Sequence, residues 1–169
     1  MSNTSTIELE ISKTNLLELD KKKSKELAGK LNILLGSYSV FYQNVRGYHW
    51  NLKGANFFEL HAKFESLYNN LSSKIDELAE RIVILGYPAN YNFSEYKKTS
   101  KISESALIKD GIVASQFILN SLKTIITEQR EILSLSKTFE DEGTTTLMSD
   151  YIKEQEKIVW MYSSFLETN

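Results

Sequence analysis

A single proline, Pro88, in 169 residues is the feature that most narrows what this chain can fold into. Proline removes an amide donor and clashes with the preceding helical turn, so a chain almost free of it has little to interrupt long helices. The apolar residues use that freedom. Leu27, Leu31, Leu34, Tyr38, Phe41, Val45 and Tyr48 recur at steps of three and four, one face of a helix. Asn51-Leu52-Lys53-Gly54 supplies a stop, with Gly54 suited to the left-handed C-cap conformation. A second helix is expected from near Asn56, with Phe57, Leu60, Phe64, Leu67, Leu71, Ile75, Leu78, Ile82 and Leu85 down one side, ending at Gly86-Tyr87-Pro88. A third is marked by Ile108, Ile112, Phe117, Leu119, Leu122, Ile126 and Leu133 and stops at the acidic turn Glu140-Asp141-Glu142-Gly143. The fourth carries Leu147, Tyr151, Ile152, Ile158, Val159, Tyr162 and Phe165.

Between the second and third helices, Ala89 to Glu104 is polar and aromatic, with room for one short helix around Ser94 to Lys98. No alternating run competes as a strand, and the chain has no internal repeat or low-complexity tract. The expectation is an all-α four-helix bundle with a short extra helix in the long second-to-third connection. One domain accounts for the length. Residues 1–24 are expected to be a mobile tail and 25–169 the bundle.

Composition then excludes several classes. Cysteine is absent, which removes disulfides, thiolate nucleophiles and zinc ribbons, and suits the reducing cytoplasm expected for the protein. No stretch approaches the roughly 20 apolar residues of a membrane span. No signal peptide is expected at the N-terminus. A net charge of -2 makes no electrostatic case for nucleic acid at the level of the whole chain.

The chain has two histidines, His49 and His61, twelve positions apart on either side of the Gly54 turn. In an antiparallel helix hairpin, residues equidistant from the turn face each other, so both imidazoles and Glu65, one turn past His61, are expected to converge. Nitrogen and oxygen donors of this kind suit ferrous iron or zinc. Asp76 and Glu80 form a second pair, one helical turn apart. Its bland alternative is a solvated acidic edge, with either acid paired to a lysine or to Arg81. Distance links the two clusters. His61 and Asp76 lie on one helix about 22 Å apart along its axis, at 1.5 Å per residue. They cannot share an ion within one chain, but a second copy packed antiparallel about a two-fold axis near Asn70 and Leu71 would complete both. Ser72 and Ser73 would permit the close approach.

The run His49-Trp50-Asn51-x-x-Gly54-x-x-Phe57-x-x-Leu60-His61-x-x-Phe64-Glu65, followed by Asp76-x-x-Ala79-Glu80-Arg81, closely resembles the Dps family, the mini-ferritins of the ferritin-like superfamily. The likeness in helical layout extends over about residues 25–166. It implies a cage of twelve subunits with ferroxidase sites at two-fold interfaces, His49, His61 and Glu65 coming from one subunit and Asp76 and Glu80 from its mate. Ferrous iron would be oxidised by hydrogen peroxide or dioxygen and stored as ferric mineral, which protects against oxidative damage. Full-size ferritins place an E-x-x-H pair inside one bundle, and no E-x-x-H occurs here. The family analogy sets Trp50 beside the iron as an electron donor; the plainer alternative is a buried aromatic anchor. Glu65 departs from the family, which commonly has aspartate there.

The resemblance also places acidic iron-entry pores near Glu140, Asp141, Glu142 and Asp150, although Thr144, Thr145 and Thr146 match that pattern only in part. A solvated loop is the competing reading. DNA binding is not carried over from the family name. Residues 1–20 hold Glu8, Glu10, Glu18 and Asp20 against Lys13, and Lys21, Lys22, Lys23 and Lys25 fall at the start of the first helix. Phosphate contact needs clustered cations, so only weak, salt-sensitive binding is expected. Two rival readings remain: a nucleoid-compacting cage, and a helical interaction module whose histidines are incidental.

Overall fold

The computed structural model describes residues 14–167. Their helices are α1 (Lys21–Asn51), α2 (Phe57–Ile84), α3 (Phe93–Thr99), α4 (Gly111–Thr138) and α5 (Glu142–Glu167). Aspartates open three of the four long ones. Asp20 accepts the amide of Lys23, Asp110 that of Val113 and Asp141 that of Thr144, at 2.9, 2.9 and 3.1 Å. Each bond satisfies an amide that the helix leaves orphaned, worth about 1 kcal/mol. Among the described residues the one extended feature is an isolated bridge between Thr14 and Asp20. Among the described residues no helix is long and apolar enough to cross a membrane.

All seven apolar residues expected on the first helix are buried in α1. Against them α2 sets Leu60, Phe64, Leu67, Leu71, Leu78 and Ile82. Burying each large side chain contributes about 1.5–3 kcal/mol, and this seam fixes α2 as a straight rod beside α1. The face of α4 differs from expectation. Phe117 is 49% exposed, and the buried stripe is Ala114, Ile118, Leu122, Ile125, Gln129 and Ile132. The triplet Phe117-Ile118-Leu119 leaves the phase open locally, and packing selects its middle member. Ile108 precedes α4 altogether.

The long connection is clasped to α1 by two asparagines. Asn32 donates to the Pro88 carbonyl and accepts from the Asn90 amide, at 3.2 and 2.8 Å. Asn44 does the same with Ser103 and Ser105, both at 2.9 Å. Helix α1 starts at Lys21, ahead of the expected boundary at residue 25, because Asp20 caps it. The segment before it is tied down as well: Asn15 donates to the Leu85 carbonyl at 3.2 Å and to Ser24 Oγ at 3.3 Å. The mobility expected of residues 1–13 falls outside the described residues.

Candidate metal centre

The turn between α1 and α2 carries two left-handed residues, Gly54 at φ 92° and Asn56 at φ 59°. It folds the helices back so that His49 and His61 stack, with ring centroids 3.7 Å apart and planes 20° from parallel. Each ring binds the other residue's backbone: His49 Nδ1 lies 2.8 Å from the His61 carbonyl, and His61 Nδ1 lies 3.0 Å from the His49 carbonyl. A carbonyl only accepts, so each Nδ1 donates, and in the neutral ring Nε2 is then the nitrogen with the lone pair. Second-shell bonds of this kind orient metal-binding imidazoles. Phe57 stacks on His61, centroids 5.1 Å apart.

Glu65 stands exposed one turn beyond His61. The Tyr68 hydroxyl donates to its Oε1 at 3.5 Å, and the Tyr68 ring meets His49 edge-on at 5.3 Å. Burial, and then the Glu65 carboxylate, push the Tyr68 phenol above its ordinary range, which keeps it a donor. The expected convergence is thus partial. The imidazoles meet, but Glu65 does not join them in a three-ligand group. Tyr68 was absent from the sequence reading, although its place seven residues after His61 and three after Glu65 puts it on their face. Trp50 is 58% exposed with the Arg46 guanidinium 4.6 Å above its ring, so it is no buried anchor.

Asp76 and Glu80 are both exposed and take part in no ion pair among the described residues. Of the bland alternative, a solvated acidic edge paired to a lysine or to Arg81, the exposure is found, and among the described residues the pairing is not. Arg81 binds Asp141, which caps α5, and donates to Thr144 Oγ1 at 2.9 Å. Between the clusters, His61, Glu65, Tyr68, Ser72, Asp76 and Glu80 follow steps of three and four, one row along α2. Leu71 is buried in the chain's own core and cannot face a neighbour; Ser72 and Ser73 are exposed. Among the described residues no three His, Cys, Asp or Glu side chains come together to hold an ion.

Inside the bundle a phenol stands at the centre of the polar groups. The Tyr38 oxygen, fully buried, accepts the side-chain amides of Gln129 at 2.7 Å and of Gln155. Burial pushes the Tyr38 phenol far above its ordinary range, so it stays neutral. Lys74 binds Glu154, and Tyr151 donates to Glu77. Ferritin-like sites within one bundle need inward carboxylates and histidines from four helices. A phenol and two amides stand here instead.

The acidic turn also reads differently in three dimensions. Asp141 is 4% exposed, accepts from Thr144 through both oxygens and is paired with Arg81, so it is not a free acid of a pore. A Cβ on Gly143 would sit 2.8 Å from Arg81 Nη1, which is why the close approach needs glycine. Glu142 belongs to α5 rather than to the turn.

A four-helix bundle with one long crossover connection is the wiring of the ferritin-like class. The Ferritin-like domain model matches residues 28–169. Within that class the chain belongs to the Dps family. It is 37% identical to the DNA protection during starvation protein of Porphyromonas gingivalis, over 89% of this chain and 96% of that protein. An uncharacterized protein of Haemophilus influenzae is 53% identical over 94% of this chain and 98% of its own length. The crystal structure of a Dps protein from Vibrio cholerae O1, described as a member of a broad superfamily of ferritin-like diiron-carboxylate proteins, superposes with a TM-score of 0.90 at 50% identity. It covers 91% of this chain and 97% of the other.

Proposed function

We propose that the protein oxidises ferrous iron with hydrogen peroxide or dioxygen at sites shared between two subunits, and stores the ferric product in a twelve-subunit cage. The observation that carries this reading is the stacked pair of His49 on α1 and His61 on α2, with His61 on the same helix as Asp76 and Glu80, two carboxylates without an ion pair among the described residues. His49, His61 and Glu65 of one subunit would take ferrous ions together with Asp76 and Glu80 of its mate. Each of the two stacked rings has its own Nε2, so the pair would offer one nitrogen ligand to each of two ions. Two ferrous ions would give one electron each to a peroxide. With two protons that yields two ferric ions and two waters, and no hydroxyl radical. Hard anionic oxygens favour the ferric product. Exposed Trp50 would donate an electron where only one ion is bound.

This reading makes protection of DNA a matter of removing iron and peroxide. Lys21, Lys22, Lys23 and Lys25 are exposed on the opening turns of α1, and no DNA binding of consequence is expected at physiological salt.

Subunit mixing tests the shared site. One variant carries His49→Ala and His61→Ala, the other Asp76→Asn and Glu80→Gln, and neither alone should oxidise iron. Unfolding and reassembling an equal mixture should restore about a quarter of the wild-type sites, because half the dimers are mixed and each holds one intact site of two. No recovery in a properly assembled mixture would exclude a site divided this way.

A further inference from the structure

A glutamate reaching from an exposed helix position has three free side-chain torsions, and ordering such an arm costs entropy. Tyr68 removes that freedom. It touches a candidate imidazole and a candidate carboxylate of the same chain, His49 through its ring at 5.3 Å and Glu65 Oε1 through its hydroxyl at 3.5 Å. Its own ring is held by Tyr42, edge-on at 6.2 Å, and Tyr42 in turn lies under the Arg46 guanidinium at 5.2 Å. The brace therefore runs from α1 into α2 and fixes the ring that points the hydroxyl. Resting on the function proposed above, we propose that Tyr68 is the positioning residue of this half-site. It engages Glu65 Oε1 so that Oε2 alone is presented to a divalent cation beside the histidine pair. Long hydrogen bonds of this kind tighten when a site is filled.

Cobalt(II), which can be followed by visible absorption, is the probe, titrated into the assembled protein. Tyr68→Phe keeps the ring and removes only the hydroxyl; it should weaken binding about tenfold, the usual scale for a second-shell contact. Glu65→Gln should weaken it too, and the two changes together should cost no more than Glu65→Gln alone. Shortening the arm in a Tyr68→Phe, Glu65→Asp double variant should recover much of the affinity and the wild-type spectrum. Wild-type affinity in Tyr68→Phe, or losses that multiply in the double variant, would overturn the role given to Tyr68. Undiminished cobalt binding in a His49→Ala, His61→Ala variant would instead remove the half-site itself, a different failure.

Discussion

The bundle interior and the outer row of α2 are both polar, and they handle their polar groups in opposite ways. Inside, Tyr38, Gln129 and Gln155 hydrogen-bond to one another and carry no charge. Outside, the histidines spend their Nδ1 protons on backbone and keep Nε2 bare, while Asp76 and Glu80 have no counter-ion. A buried polar group left unpaired is costly, and the buried phenol is held by two amides; an exposed carboxylate such as Asp76 or Glu80 is solvated and can wait for a ligand. The difference teaches where a cation can enter this molecule: at the row, and not among the four helices.

The largest effect should come from setting the two regions against each other. Asp76→Asn with Glu80→Gln should lower ferrous oxidation, followed by absorbance of the ferric product, by at least about a hundredfold. Thermal stability should stay within about 0.5 kcal/mol, as for other exposed positions. Tyr38→Phe should do the reverse. It leaves two buried amides without their acceptor, at about 2 kcal/mol or more in denaturant unfolding, and should leave oxidation per folded subunit unchanged. A Tyr38→Phe protein that folds normally but fails to oxidise iron would break the division.

Next in size is the one charged contact that joins the row to the far end of the bundle. Arg81 directly follows Glu80, yet it turns inward to Asp141, which is also the N-cap of α5. Arg81→Met should leave a buried carboxylate unpaired and cost about 3 kcal/mol in denaturant unfolding. Because Glu80 makes no ion pair with it, cation binding per folded subunit should be retained.

Much of this was legible in sequence, and the misses share a cause. The α1 stripe could be read directly because its apolar residues stand apart at clean steps, and the short helix expected near Ser94 to Lys98 is α3. The histidine hairpin was legible because Gly54 marks the turn and the two histidines lie at similar distances on either side of it. Phe117 was placed on the wrong face because three apolar residues in a row carry no phase. Sequence leaves the state of Asp141 open, because one acidic turn reads alike as a pore lining and as a helix cap. Three-dimensional neighbours, here Arg81 and Thr144, decide it. Tyr68 escaped because a tyrosine on an amphipathic helix looks like core until the imidazole beside it is known.

The smallest expected effect concerns one of the buried acids, Glu128. Only 4% exposed, it sits on α4 with the Lys101 amine 3.8 Å away and one carboxylate oxygen without a partner. Burial pushes its carboxyl above the ordinary range; the Ser37 hydroxyl, Lys101 and Lys30 pull it back, and Glu131 adds to the rise. A group whose folded value lies above its unfolded one binds a proton more readily when folded. Its contribution to stability is therefore fullest below the unfolded value and is lost as pH rises through the raised folded value. The native fold should gain stability on mild acidification through that window, against the usual trend for carboxylates paired in the native state. Glu128→Gln removes the titrating proton and should flatten this part of the profile of melting temperature against pH, leaving cation binding at the α2 row as it was. A wild-type profile already flat there would mean that the lysines and Ser37 fully offset the burial, and that the interior holds a charge as comfortably as the surface does.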